Sequence, residues 1–217
     1  MKLLLDNVYF RLVNKSGNMH WWPGETRDEI IIGAILTQNV SWKNVAKALE
    51  NLKSKNMLSL KAVHQASAME VGTLIKPTRF YNQKVISIKN FTKYLFDNYS
   101  GELDSMFASE LGNLRTELLN IKGLGAETVD CILLYGGNKL IFVIDGYTTR
   151  VFSRLGVGEK NWAYDDYQRL FMSNINPDLE LYKDYHAQIV NLGHSLCKNK
   201  KPNCRVCPLE EICENGR

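Results

Sequence analysis

Four cysteines near the C-terminal end constrain this chain more than any other feature. They fall as Cys197-x6-Cys204-x2-Cys207-x5-Cys213, four thiols within 17 residues, with Pro202 and Pro208 stiffening the turns between them. Thiolates at such spacings can converge on one metal centre. Zinc sites usually show two short pairs, and here only Cys204 and Cys207 are close, so the uneven gaps suit a 4Fe-4S cube and leave zinc as the second reading. The fifth cysteine, Cys131, lies between Val129 and Ile132 and reads as a buried core thiol. An odd cysteine count concentrated at one end is not a secreted disulfide framework. The opening residues, MKLLLDNVYFRLVNK, hold no long apolar run ahead of a small-residue cleavage site. No window approaches the roughly 18 uninterrupted apolar residues of a membrane span. A reducing compartment, with no membrane partner, is the setting these features imply.

The dominant period is helical. Thr26 and Glu29 read as a capping box ahead of Ile31, Ile32, Ile35 and Leu36, and Ser67 and Glu70 as a second ahead of Val71, Leu74 and Ile75. Ser41 opens a stripe of Val45, Ala48, Leu49 and Leu52, and Val85, Ile88, Phe91 and Leu95 make another. Leu114, Leu118 and Leu119 follow. The run LIFVI at 140–144 is the one strand-like segment; a single strand has no partner, so it reads as a buried connection into a helix starting near Asp145. Later helices are expected at about 146–155, 164–174 and 178–197. The fold class is therefore all-α. A mildly basic net charge of +4 is compatible with nucleic acid but does not establish it. The stretch 71–96 carries Lys76, Arg79, Lys84, Lys89 and Lys93 and no acid, which is either a solvated face or a flank that meets phosphates.

Two further motifs carry chemistry. In Ile121-Lys-Gly-Leu-Gly-Ala-Glu-Thr-Val129, Gly123 and Gly125 flank Leu124 between two helical stripes. Glycines allow a tight turn and close approach of backbone to a ligand, and the amides at the next helix start form an anion site. Lys122, Gly123, Leu124 and Gly125 thus form a candidate hairpin that grips a DNA phosphate through main-chain amides. In Val143-Ile-Asp145-Gly-Tyr-Thr-Thr-Arg150, a carboxylate ends an apolar run and begins a helix, at the positive end of its dipole. Each motif alone is also compatible with a plain helical turn or an ordinary Asp N-cap.

Their order is more specific. A GxG hairpin, an aspartate 20 residues after Gly125 and a terminal four-cysteine signature resemble the endonuclease III group of the helix–hairpin–helix–GPD superfamily of DNA glycosylases, from about Trp21 to Cys213. The resemblance implies two helical lobes with a DNA cleft between them. One would be a six-helix barrel with the hairpin (20–138). The other, from 1–19 and 139–217, would carry the catalytic Asp145 and a 4Fe-4S cluster held by Cys197, Cys204, Cys207 and Cys213. It implies action as a monomer on double-stranded DNA with a damaged base, hence a cytoplasmic, nucleoid-associated enzyme. Glu127 departs from the bifunctional members, which hold a lysine two residues after the second hairpin glycine. A glutamate cannot form an imine, so the expectation is a base-excising N-glycosylase without strand-nicking lyase activity.

Trp21-Trp22-Pro23, Leu36-Thr-Gln-Asn39, the following Trp42 and Phe80-Tyr-Asn-Gln-Lys84 look like the 3-methyladenine DNA glycosylase III subfamily. That resemblance places Trp21, Trp22, Pro23 and Trp42 in a base pocket with His194 at its edge, where a buried structural histidine is the equal alternative. It gives Gln38 or Asn39 the gap left by the flipped nucleotide. The cysteine signature departs from the subfamily's best-known pattern. Lys198, Lys200, Lys201 and Arg205 make the cluster loop a basic scaffold facing DNA. Removal of thymine or uracil opposite guanine, a bifunctional glycosylase/lyase, and a non-catalytic DNA-damage sensor are the rival readings. Tyr147 and Arg150 follow Asp145 on its helix, and Arg150 reads as a structural pairing more than a phosphate contact.

Overall fold

The computed structural model describes residues 1–19, 22–159 and 161–216, and among them there is no strand. Trp21 lies outside the described residues. The helices are α1 (Lys2–Ser16), α2 (Arg27–Leu36), α3 (Trp42–Ser54), α4 (Leu60–Gln65), α5 (Ala68–Ile75), α6 (Tyr81–Tyr99), α7 (Leu103–Ala108), α8 (Leu111–Leu119), α9 (Ala126–Cys131), α10 (Gly146–Arg154), α11 (Tyr164–Asn174) and α12 (Leu179–Ser195). α9 runs on into a π-helical turn, Ile132–Gly136, and 3-10 turns at Cys204–Val206, Glu210–Ile212 and Glu214–Gly216 shape the tail. The chain divides into two compact units, Trp22–Lys139 and the paired segments Met1–Trp21 with Leu140–Arg217.

The Trp22–Lys139 unit is organised around α2, whose residues from Ile31 to Leu36 are all buried. Burial on every side removes the usual amphipathic pattern, and each large apolar side chain so enclosed contributes about 1.5–3 kcal/mol. Around it pack Val45, Ala48, Leu49 and Leu52 of α3, Ile88, Phe91 and Leu95 of α6, and Ile132, Leu133 and Leu134 of the π turn. The start signals act as their chemistry requires. Ser67 and Glu70 form a reciprocal capping box on α5. At α2, Thr26 accepts from the Glu29 amide at 3.2 Å, while the Glu29 carboxylate reaches one residue further back, to the Glu25 amide at 3.0 Å.

The acid-free stretch does not form one solvated or phosphate-facing flank. Lys84 precedes Ile88 by one helical turn and so falls on the buried stripe of α6. It is 3 % exposed, and its Nζ donates to the carbonyls of Leu36 at 2.8 Å and Thr78 at 2.7 Å. Burial pulls its pKa down to about 8. Lys89 likewise donates to the carbonyls of Val63, His64 and Ala66, at the end of α4. Lys93 pairs with Asp97, and Lys76 and Arg79 stand exposed.

The other unit is built on aromatic packing. Phe142 stacks on Phe171 with ring centroids 4.2 Å apart and meets Tyr182 edge-on at 5.4 Å, and Phe152 meets Phe171 at 4.8 Å. The segment 141–144 is buried yet forms no strand. Side chains meet its backbone instead: Gln168 Nε2 donates to the Phe142 carbonyl at 2.7 Å, and the Ile144 amide donates to the Tyr164 hydroxyl at 3.3 Å. Cys131 is buried, as its neighbours Val129 and Ile132 require.

Candidate functional site

The glycine hairpin joins α8 to α9. Gly123 has φ +99°, and a Cβ there would stand 2.2 Å from Ser87 Oγ, so only glycine fits. The loop is held from behind through its carbonyls. Ser87 Oγ and Gln38 Nε2 each donate to the Gly123 carbonyl at 3.1 Å, and Asn90 Nδ2 donates to the Lys122 carbonyl at 2.9 Å. Ile121 and Leu124 are buried beneath the turn, while Lys122, Gly123 and Gly125 are exposed. A second bond from Gln38 Nε2, to Thr128 Oγ1 at 3.0 Å, ties the end of α2 to α9. Asn39, next to it, is exposed with φ +53°. Sequence reasoning missed Ser87 and Asn90, whose roles depend on a contact between α6 and a loop some 35 residues away.

Two consecutive left-handed residues, Arg79 at φ +52° and Phe80 at φ +41°, precede α6. Such backbone is uncommon outside glycine and points to a local requirement. Phe80 is 74 % exposed, an aromatic side chain held out in water.

Three aromatic side chains meet in the same unit. Trp22 lies edge-on to Trp42 with centroids 5.7 Å apart and 85° between planes, and packs against Tyr135 at 5.0 Å and 44°. Gly33 opens the space between the tryptophans: a Cβ there would sit 3.5 Å from Trp22 Nε1 and 3.7 Å from Trp42 Cη2. The Trp22 indole nitrogen is buried without a hydrogen-bond partner. Tyr135 was not legible in the sequence, because it comes from the π-helical turn, a distortion that often marks functional positions. Pro23 is exposed.

Asp145 is the N-cap of α10, where its Oδ1 accepts from the Thr148 amide at 2.6 Å and the Thr148 hydroxyl at 2.8 Å. Its Oδ2 faces His186 Nε2 at 3.7 Å, and the two side chains are 10 % and 5 % exposed respectively. Burial alone would raise the carboxyl pKa, but His186 and the bonds from Thr148 outweigh it and hold the group below its ordinary value. Sequence reasoning missed His186. The available signal was a histidine one position after Tyr185 and three before Ile189, inside the buried stripe of α12. His194 lies near the end of the same helix and is exposed, which removes the alternative of a buried structural histidine.

Arg150 donates to the carbonyls of Gly193 and Cys197, each at 2.9 Å, with its guanidinium 5.0 Å from the Tyr147 ring centroid. It is a structural link from α10 to the end of α12. One turn later Arg154 donates to Cys197 Sγ at 3.2 Å and to the carbonyls of Lys198 and Asn199 at 2.9 and 2.8 Å. The Cys213 thiol contacts the Arg154 carbonyl at 3.2 Å. Cys197, Cys204, Cys207 and Cys213 line one small, partly open cavity with Arg154, Leu196 and Pro202. Among the described residues the thiols share this cavity without closing into a single-ion coordination sphere. Burial, with the three neighbouring thiols, pushes the Cys207 thiol up. Four thiols with no disulfide among them, facing one cavity and one guanidinium, are a donor set that fits a thiolate-bound cluster.

An all-helical fold with a glycine hairpin and a carboxylate capping a later helix defines a class of DNA-repair protein. A family model described as HhH-GPD superfamily base excision DNA repair protein matches residues 32–177. A protein of Methanocaldococcus jannaschii named as a DNA repair glycosylase is 43 % identical over 212 residues, 97 % of this chain and 96 % of its own. A Helicobacter pylori 3-methyladenine DNA glycosylase, solved with 1,N6-ethenoadenine, is 26 % identical with TM-score 0.74, covering 88 % of this chain and 95 % of that one. Endonuclease III in a trapped covalent complex with DNA has TM-score 0.85 at 21 % identity, over 100 % of this chain and 97 % of that one. The chain belongs to the HhH-GPD superfamily and is an endonuclease III-like DNA N-glycosylase of base excision repair. None of its described helices is long and apolar enough to cross a membrane.

Proposed function

We propose that this glycosylase is monofunctional and excises 3-methyladenine or another cationic alkylated purine from double-stranded DNA, acting as a monomer. The observation that carries the substrate reading is the grouping of Trp22 and Trp42 beside the bare backbone of Gly33, with Tyr135 packed on Trp22. A 3-methylated purine is a cation, and a desolvated cation against aromatic faces gains about 2 kcal/mol or more. It is also a good leaving group and needs little protonation to depart. The likeness to the Helicobacter pylori 3-methyladenine glycosylase supports the same substrate class. Trp21, Pro23 and His194 are further candidates for contacts to the base, carried by the subfamily resemblance. Glu127, exposed in the first turn of α9, supports the monofunctional reading, since a carboxylate cannot attack the sugar as an amine does.

In this mechanism the hairpin from Lys122 to Gly125 holds a phosphate. Gln38 or Asn39 fills the space left by the flipped nucleotide, and the exposed Phe80 wedges the adjoining base step apart. Asp145 stays ionised, stabilises positive charge developing on the sugar and orients the attacking water through Oδ2. The four cysteines would hold a 4Fe-4S cluster whose contribution when bound is structural, ordering the loop that presents Lys198, Lys200, Lys201 and Arg205. That loop does no proton or bond chemistry here.

The decisive experiment is mass analysis of bases released from a panel of methylated and deaminated duplexes. Release of 3-methyladenine supports the reading, and release of thymine or uracil opposite guanine with no alkylbase would replace it. Borohydride trapping of a covalent protein–DNA adduct would overturn the monofunctional assignment. Iron content and a broad absorption near 400 nm in fresh protein test the cluster; a colourless, zinc-loaded protein refutes it.

A further inference from the structure

We propose that His186 is a positioning residue for Asp145, keeping Oδ2 as the one oxygen with which the carboxylate works. The inference rests on the reading of Asp145 as the catalytic carboxylate. The two oxygens of Asp145 have different surroundings. Oδ1 accepts both bonds from Thr148, an amide and a hydroxyl, and these belong to helix capping. Oδ2 is turned to the imidazole of His186, with Nε2 at 3.7 Å. That gap is longer than a hydrogen bond, as catalytic pairs often are before substrate binds.

The placement of His186 is fixed by packing between α10 and α12. Tyr147 lies so close over Gly193 that a Cβ there would be 2.5 Å from its ring, and Arg150 bonds the Gly193 carbonyl. A slide of α12 along α10 would break both contacts. His186 therefore reaches Asp145 from a helix whose register is locked, and the imidazole is nearly inaccessible to water.

The other charged groups around the pair have partners of their own. On α12, Asp184 accepts from the Tyr9 hydroxyl of α1 at 2.8 Å and from the Met19 amide. Asp6 and Tyr9 of α1 act on Tyr185, whose hydroxyl donates to the Leu5 carbonyl. On α10, Arg150 and Arg154 are turned to the carbonyls and Sγ of the 193–199 segment. His186 is thus the titratable side chain that faces Oδ2.

The sign of the consequence follows from linkage between charge and burial. His186 and Thr148 together hold the Asp145 pKa down against the upward push of burial. Removing the imidazole leaves Thr148 alone to oppose burial, so the carboxylate protonates at higher pH. The acid limb of base release then moves up, and a move of about one unit costs roughly tenfold in rate below the limb. A packing role alone predicts lower rates at every pH with the limb unmoved.

The test compares H186F, which keeps a planar ring and loses both nitrogens, with H186Q, which keeps an amide donor. Single-turnover base release is measured across pH, with DNA affinity and thermal midpoint alongside. The expected result is an acid limb displaced upward in H186F, a smaller displacement in H186Q, and DNA affinity within about twofold of wild type. Should H186F fail to fold, a carboxyl-¹³C titration of Asp145 in wild type and H186Q, assigned against D145N, reads the same displacement. An unmoved limb in H186F, or an unmoved Asp145 titration in H186Q, overturns the proposal. The underlying reading fails separately, if D145N still releases base at the wild-type rate.

Discussion

The carboxylate site and the aromatic site are built in opposite ways. Around Asp145, the contacts that cap α10 come from Thr148, three residues along the same helix. Trp22, Trp42 and Tyr135 come from a loop, a helix start and a π turn that span more than a hundred positions. The first site needs a fixed charge, which a helix terminus supplies locally at low entropic cost. The second needs a shape, and shape comes only from distant elements packed together. On the function proposed above, a change at the first site strikes chemistry on every substrate, and a change at the second strikes the choice among substrates.

The largest effect expected breaks the comparison if it fails. Asp145→Asn should lower single-turnover base release by at least about a hundredfold on any lesion, because the developing sugar cation loses its counter-charge. DNA affinity measured by titration should hold, since the amide keeps the Thr148 bonds. Trp42→Leu should instead lower release of cationic 3-methyladenine by roughly ten- to thirtyfold, the value of one cation–π contact. Release of a neutral lesion such as hypoxanthine should change far less. Equal losses on cationic and neutral bases would make Trp42 a packing residue and remove the distinction between the two sites.

The same contrast decides what could be read from the sequence. Short-range chemistry was legible: the Ser67–Glu70 capping box, the Asp145 N-cap, the hairpin glycines and the four cysteines all announce themselves within a few residues. The ladder-free connection expected at 140–144 was legible too, because a lone strand has nothing to pair with, although its first residue, Leu140, is exposed and only 141–144 are buried. Long-range chemistry was not. His186 looked like one more position on a helix, and Tyr135 carried no sign that a π turn would bring it to Trp22. The basic run 71–96 misled for the same reason. Charge composition gives no direction, whereas the helical register of α6 turns Lys84 inward and Lys89 against the end of α4.

The hairpin sits between these extremes, a local turn gripped by a distant helix. Gly123→Ala meets two penalties, a left-handed φ and a Cβ 2.2 Å from Ser87 Oγ. The expected cost is about 1–3 kcal/mol of stability, read as a drop in thermal midpoint, with weaker DNA binding. Pairing it with Ser87→Ala separates the terms. The double variant should recover the part due to the hydroxyl clash and retain the part due to backbone strain. Full recovery would mean that the left-handed φ is not what excludes a side chain at Gly123.

The smallest effect concerns Lys84, the buried cation that holds the end of α2 ahead of Gln38 and Asn39. Its folded pKa, about 8, lies below the unfolded value of 10.5, so the unfolded chain binds more protons at this group between those limits. Stability must then rise with pH across that window from this side chain, since the penalty for burying the charge is present below pH 8 and relieved above it. Lys84→Met removes the charge and leaves the Leu36 and Thr78 carbonyls without their donor, lowering stability at neutral pH. Subtracting the two denaturation curves at each pH isolates the group from the other lysines and tyrosines titrating there. The stability advantage of wild type over Lys84→Met should widen from pH 8 to 10. A constant difference would mean that Lys84 stays charged where it is buried, and that the end of α2 is held by a full cation–carbonyl bond at every pH the enzyme meets.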